Sequence, residues 1–255
     1  MPERPALSRQ IAADLREAIV AGALPPGAVL PSERELIQRY GTSKSTASKA
    51  IALLQAEGLA RTEFGRGTFV RDRPPLRRVS AAQRHAEHRS SGKPIFDTEA
   101  IAQGQVPSRQ MLEIGRVKAP PDAARWLQAP PGAEVVIRKR LQFLNEVPAV
   151  LSTSYYPLWL AAGTRLESPI ALAEGPDVLI ETLGHHFWRG TEVFRARMPT
   201  FDELRLLRLS PGVPIVQMWD VDYNDQGRTL QVAEDLYAGD RHEFAYEWTE
   251  GGTTP

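Results

Sequence analysis

Apolar residues recur at helical spacing near the start of the chain: Leu7, Ile11, Leu15 and Ile19, with Ala18 beside them and Arg and Glu between. That period predicts an amphipathic helix from Leu7 to Ala21, ended by Gly22 and followed by the turn Leu24-Pro25-Pro26-Gly27. Pro31-Ser32-Glu33-Arg34-Glu35 opens a second helix. Ser32 as N-cap and Glu35 at the third helical position can satisfy two orphan N–H groups reciprocally. This helix runs to Tyr40, and Gly41 makes a corner. A third helix is expected from Ser43 to Glu57, stopped by Gly58. Its Ala47, Ala50, Ile51 and Leu54 share one face, while Ser45, Ser48, Lys49 and Ala52 look the other way, with Lys44 at the flank. Leu59 to Val70 then reads as two short strands around Gly65-Arg66-Gly67. Three helices and a hairpin in this order predict a winged helix-turn-helix. The polar side of its third helix is expected to face outward, into the major groove of DNA.

Beyond Val70 the pattern changes. "RDRPPLRRVSAAQRHAEHRSSGK", Arg71 to Lys93, has almost no large apolar residues and reads as a linker. Its His85 and His88 could be a metal pair. A solvated helix face is the better reading, since no carboxylate stands at ligand spacing. From Pro94 onward strands and helices mix, and two stretches resemble each other. "WLQAPPGAEVVIRKRLQFL" (Trp126 to Leu144) and "LLRLSPGVPIVQMWDVDYN" (Leu206 to Asn224) both place a helix end, a Pro-Gly turn and a long strand in the same order. Thr200 and Glu203 form a capping box before the second copy, and Asn145 to Pro148 and Asn224 to Gly227 read as hairpin turns. The fold class expected is α+β, with a duplicated plan and an antiparallel sheet. Residues 1–72 would form the DNA-binding domain, 73–93 the linker, and 94–250 an effector-binding and dimerisation domain.

Composition narrows the class. Of 255 residues 42% are hydrophobic and 24% charged, as in soluble globular proteins. No apolar run approaches the roughly 20 residues of a membrane helix. The N-terminus lacks the basic-then-apolar pattern of a secretory signal, so a cytoplasmic protein without membrane partners is expected. The absence of cysteine excludes disulfides and thiolate metal sites. The formal net charge is zero, but the halves differ: 16 Lys and Arg against 9 Asp and Glu up to Lys93, and 15 against 22 from Pro94. A basic front half fits a polyanionic partner.

These residues resemble the GntR family of bacterial transcription regulators. The resemblance rests on "LPSERELIQRYGTSKSTASKAIALLQAEGLARTEFGRGTFV", above all on "PSEREL" and "GRGTFV" at this spacing. The rear half resembles the ligand-sensing module of the HutC branch, a chorismate-lyase-like (UTRA) fold, through "PPGAEVVIRKRL", "SYYPLWL", "SPGVPI" and "YAGDRHEF". The resemblance implies DNA contacts by Arg34, by Ser43, Lys44, Ser45, Thr46, Ser48 and Lys49 of the third helix, and by the wing tip Gly65, Arg66 and Gly67. Lys44 and Ser48 stand where the family commonly has Arg; lysine lacks the planar fork, which weakens base discrimination.

Strand alternation puts Arg138 and Arg140 on one face, about 7 Å apart, a clamp for a phosphate or carboxylate. The resemblance gives these two residues the ligand's phosphate and places further ligand positions on Ser152, Asp177, Leu179, Gln231 and Tyr237. Tyr237 keeps the family type. Gln231 replaces a carboxylate, Ser152 stands where Glu is frequent, and Asp177 and Leu179 replace Ser and Tyr. An aspartate beside a phosphate repels it, so an anionic or amphoteric small molecule is expected rather than a phosphosugar.

His185 and His186, with Glu181, read as the C-terminal end of the helix "VLIETLGHHF" rather than a metal site, and the five tryptophans as core or interface aromatics. The whole predicts a homodimeric, ligand-responsive regulator, in all expectation a repressor, on double-stranded operator DNA, with no cofactor. An enzyme built on the lyase-like fold is the alternative, though no Cys nucleophile, G-x-S-x-G or H-E-x-x-H is present. A nonspecific architectural DNA binder is the other.

Overall fold

The computed structural model describes residues 6–63, 65–71, 76–79, 93–170, 172–209 and 212–246. The chain divides into two compact units, with the main boundary between Pro75 and Leu76. The first is a three-helix domain with a wing. Helix α1 (Leu7–Val20) buries Ile11, Ala12 and Leu15. Helix α2 (Glu33–Tyr40) begins at the Ser32–Glu35 capping box, present in both directions, and ends at Gly41. Gly41 has φ +59°, a left-handed corner that a side chain would oppose. Helix α3 (Lys44–Ala56) follows at once, with Ser43 as N-cap. Ala47, Ala50, Ile51 and Leu54 of α3 join Leu36 and the α1 residues in one core. A bidentate pair from Arg16 to Glu57, 2.7 and 2.5 Å, ties α1 to the end of α3 at the surface.

Strands β1 (Ala60–Glu63) and β2 (Gly67–Val70) pair antiparallel. Val29 bridges to Phe69, and Leu30 N–H donates to Thr68 O at 2.8 Å, so the segment before α2 backs the wing.

The second unit is organised by one six-stranded sheet. In chain order it contains β3 (Leu76–Arg78), α4 (Ile95–Ala102), β4 (Pro107–Lys118), α5 (Pro121–Trp126), β5 (Glu134–Leu144) and β6 (Val147–Pro157). There follow α6 (Leu158–Ala161), a 3-10 turn (Arg165–Glu167), α7 (Pro176–Thr182), β7 (Arg189–Arg197), α8 (Phe201–Leu206), β8 (Ile215–Tyr223), β9 (Thr229–Ala238) and β10 (His242–Phe244). The large sheet has the order β4-β5-β6-β9-β8-β7, and every pairing in it is antiparallel. Each half runs strand, short helix, strand, strand, and the halves meet at β6–β9. The duplication expected from the two Pro-Gly segments is therefore structural. Gln128 and Arg208, equivalent when the Pro-Gly turns are aligned, both adopt positive φ, 54° and 48°. Asn145 and Glu146 also have positive φ, 50° and 68°, as a two-residue hairpin of the twist-matching kind requires.

The sheet is covered on both faces. On one, α5 packs with Val135, Ile137, Tyr155, Val221, Tyr223 and Val232. On the other lie two separate apolar clusters. One gathers Val136, Tyr156, Leu166, Leu179, Ile180 and Leu230 under α6 and α7. The second gathers Leu76, Phe96, Ala100, Leu144, Val150, Met218 and Tyr237. Between these two clusters the face is polar.

Two expectations change. Leu76–Arg78, read as linker, forms strand β3, pairing in parallel with β10 and burying Leu76 at 1% exposure. The rest of that polar stretch hides the alternation: one apolar residue among arginines makes the strand, and the Gln103 side chain fixes it by accepting from Arg77 N–H and donating to Arg77 O, 2.8 and 2.7 Å. Helix α7 stops at Thr182, before the histidines; Gly184 at φ +87° turns the chain, and His185 N–H closes the end on Ile180 O. His85 and His88 lie outside the described residues. Of the tryptophans, Trp126 and Trp219 pack against the α5 core, whereas Trp188 is 76% exposed and so is not a core residue; Trp248 is outside the described residues. No helix among the described residues is long and apolar enough to cross a membrane.

Because α2 has only eight residues, its capping box carries a large share of its local stability. Ser32→Ala is expected to lower the unfolding free energy of the winged unit by about 1 kcal/mol, read as a shift of its chemical-denaturation midpoint. An unchanged midpoint would remove the box from the stability account.

Candidate functional site

The outward side of α3 is open. Lys44, Ser45, Ser48 and Lys49 are exposed, as is Arg34 on α2. Ser43 and Thr46 are already engaged: Ser43 Oγ accepts from Thr46 N–H at 3.2 Å and lies 3.0 Å from Thr46 Oγ1. Their hydroxyls build the helix start. Ser32 N–H and Oγ both donate to Glu35 and hold its carboxyl below the usual range, so this acid stays ionised inside its cap. At the wing, Gly65, Arg66 and Gly67 are all exposed, and Gly67 has φ +120°, backbone that favours glycine. Arg66 is 72% exposed, yet its guanidinium pairs with Glu63 and lies 5.7 Å from the centre of the Phe69 ring. Glu63 also takes Arg61. The wing arginine is thus folded back on its own hairpin.

The second unit contains a pocket of about 90 Å³ at the polar gap between the two apolar clusters. Its floor is four adjacent strands. In one register row stand Arg138, Ser154, Ala233 and Asp220; in the next, Arg140, Ser152, Asp235 and Met218. Leu172 from one cluster and Phe96 from the other reach its walls.

Arg138 is 3% exposed and spends three donors on backbone: Leu166 O and Ser168 O at 2.9 Å, and Ile170 O at 3.0 Å. Burial lowers its pKa from the usual guanidinium value. Arg140 donates to Ser154 Oγ at 3.1 Å. Arg109 pairs with Asp97. Arg78, from β3, forms a buried pair with Glu99 at 2.9 Å and lies 5.1 Å from the Tyr237 ring centre. Burial disfavours its charge, but Tyr237, Glu99, Asp235 and Glu192 outweigh that and raise its pKa. Tyr237 OH donates to Asp235 at 3.0 Å. Behind it, His242 meets the Tyr237 ring edge-on at 4.9 Å; burial pushes its pKa down to about 4, so it is neutral at pH 7. Gln231 Nε2 donates to Asp222 at 2.7 Å and to Asp177 at 3.4 Å.

Arg138, Arg140, Asp177, Gln231 and Tyr237, all singled out in the sequence, meet at this pocket. Ser152 lies fully buried on the same sheet face, opposite Arg140 and Asp235, but outside the lining. Leu179 belongs to the apolar cluster. The arginine pair is not the symmetric clamp its spacing suggests, because three Arg138 donors are committed to carbonyls. Sequence reasoning missed Arg78, Arg109, Gln142, Ser154, Asp220 and Asp235. The duplication held a usable signal: with the Pro-Gly turns aligned, Asp220 falls on Arg140 and Asp222 on Gln142.

Residues 7–70 match the bacterial regulatory proteins of the gntR family, and residues 102–243 match the UTRA domain. The chain belongs to the GntR family. This GntR-family chain is a DNA-binding transcriptional regulator whose second unit is a UTRA ligand-binding domain. Its relatives include an uncharacterized HTH-type transcriptional regulator, SCO4628, of Streptomyces coelicolor, 31% identical over 94% of this chain and 91% of its own. The HTH-type transcriptional repressor NagR of Bacillus subtilis is 24% identical over 93% and 92%. PhnF from Mycobacterium smegmatis shares the fold, with a TM-score of 0.60 at 22% identity over 94% and 99% of the two chains.

Within the UTRA pocket the two strand arginines differ in what they support. Arg138→Ala leaves three carbonyls without their donor and is expected to cost the GntR-family regulator about 3 kcal/mol, read as a lower melting temperature. Arg140→Ala should leave that temperature within the range of surface substitutions. Equal melting shifts for both variants would contradict this division.

Proposed function

We propose that the protein is a repressor that binds a short pseudo-palindromic operator as a cytoplasmic homodimer, its occupancy set by a small effector docked through an anionic group. The reading is carried by the exposed polar side of α3 in a domain whose opposite side is core. Arg34 would hydrogen-bond a phosphate or a guanine edge. Lys44, Ser45, Ser48 and Lys49 would meet bases and phosphates, with Ser43 and Thr46 fixing the helix start that presents them. Arg66 would exchange Glu63 for the minor groove, the flanking Gly65 and Gly67 clearing the backbone. One winged unit makes too few contacts for tight binding, and two half-sites supply the rest. The NagR relative's repressor role supports the sign of regulation.

In the effector domain Arg140 would take the ligand's acid and Arg138 would hold the pocket wall, with Tyr237, Gln231 and Asp177 completing the contacts. The buried Ser152 would support Arg140 from the neighbouring strand. Ligand biases one arrangement of the dimer by binding it better; a difference of 1–3 kcal/mol shifts operator occupancy several-fold or more. Catalysis by the lyase-like fold has only fold analogy behind it.

Arg34→Ala is expected to weaken operator binding by about tenfold to a hundredfold in a gel-shift titration, with circular dichroism and dimer mass unchanged. Undiminished binding would strike Arg34 from the interface. Glu63→Gln releases Arg66 and removes a negative charge beside the phosphates. Operator affinity should rise several-fold, and the dependence of affinity on salt should steepen. A fall in affinity would mean that Glu63 positions Arg66 rather than restraining it.

A further inference from the structure

Part of the pocket wall comes from residues that match neither family model. The two matches cover residues 7–70 and 102–243, yet Arg78 on β3 and Pro94, Ile95 and Phe96 at the start of α4 also line the cavity. Arg78 is the one that stands next to the winged unit along the chain. Residues 71–75 alone separate Val70, at the end of β2, from Leu76, at the start of β3.

A strand of three residues in a two-stranded pair is marginal by itself, so β3 depends on its side chains. Its backbone is held at both ends: Leu76 N–H donates to Arg241 O and Ala245 N–H to Arg78 O, each at 2.8 Å. Leu76 packs in the cluster that contains Phe96, Ala100 and Tyr237. Arg78 pairs with Glu99 and lies over the Tyr237 ring. Arg78, Phe96 and Tyr237 are therefore anchors of β3 and walls of the pocket at once.

The Arg78 guanidinium can serve both roles because its nitrogens differ. Nη1 donates to Glu99 at 2.9 Å. Nε is fully buried and offers nothing to the cavity. Nη2 has no hydrogen bond among the described residues and is not sealed off in that way. Burial disfavours the charge, but its acidic neighbours outweigh burial and keep the group protonated. Glu99 already neutralises part of that charge, so an anion would find here a supplement to Arg140 rather than a substitute for it.

We propose that Arg78 is an effector-contact residue supplied by β3, so that the molecule filling the pocket also holds in place the strand joined to the DNA-binding unit. This deepens the effector reading above and rests on it. Release of β3 removes one wall of the pocket. The effector thus binds the docked form better and, by the same free energy, stabilises it.

The test uses the full-length chain with inorganic phosphate as probe, titrated calorimetrically to about 50 mM. Arg140→Ala is expected to abolish phosphate binding, and Arg78→Met to weaken it about fivefold or more. In parallel, hydrogen exchange of the Leu76 and Arg77 amides, bonded to Arg241 O and Gln103 Oε1, reports whether β3 is docked. Near saturation it should slow about threefold or more in the unsubstituted chain and stay unchanged in Arg78→Met. Phosphate held as tightly by Arg78→Met as by the unsubstituted chain overturns the proposal and leaves the anion-docking pocket standing. So does exchange in β3 that bound phosphate fails to slow, a measurement that needs no variant and decides the matter if Arg78→Met does not fold. A chain that binds no phosphate at all removes the anion-docking reading, and this inference with it.

Discussion

Three hydrogen bonds from one guanidinium hold the pocket of the second unit in shape. Arg138 reaches from the sheet to the carbonyls of Leu166, Ser168 and Ile170, in the segment that follows α6. That segment supplies the cover over one apolar cluster, and the sheet supplies the floor. Burial makes the charge costly, and the carbonyls compensate it only while the loop stays in place. The arrangement is therefore self-locking: the loop gives the arginine its acceptors, and the arginine gives the loop its donors. Arg140, two residues on, donates to Ser154 on the neighbouring strand and lines the same pocket.

The same economy shapes the DNA-binding unit. Its core is small, and the α3 residues that contribute to it are two alanines, an isoleucine and a leucine. Small side chains bring α3 close to α1, and the outer side of its first two turns carries Lys44, Ser45, Ser48 and Lys49. Ser43 and Thr46 serve the helix start, which orients the first turn while Lys44 and Ser45 remain exposed.

Legibility in the sequence followed the range of the interactions involved. Caps, corners and helix faces are local, so the winged unit could be read almost residue by residue: the Ser32–Glu35 box, the Gly41 corner and the buried side of α3 are all where the pattern puts them. The sheet's duplicated halves were legible because two Pro-Gly turns repeat at a fixed offset. The pocket was legible only in part. Arg138 and Arg140 announce themselves as adjacent inward positions on a strand, but whether each faces ligand or backbone depends on a loop some thirty residues away. Arg78 was hidden because a three-residue strand pairing with β10 leaves no period to detect. Asp220 and Asp235 lie on strands whose polar positions could have pointed either way until the order β6-β9-β8 brought them beside the arginines.

The mirrored order of the sheet carries a consequence for recognition. A cavity shared by two identical halves related by a twofold must show each half's residue twice, so it suits symmetric or uniformly charged guests. Joining the halves in one polypeptide lifts that restriction, since each copy can mutate alone. Arg140 and Asp220, equivalent by alignment and opposite in sign, are the visible result: the two copies of one sheet position line the same pocket with unlike side chains.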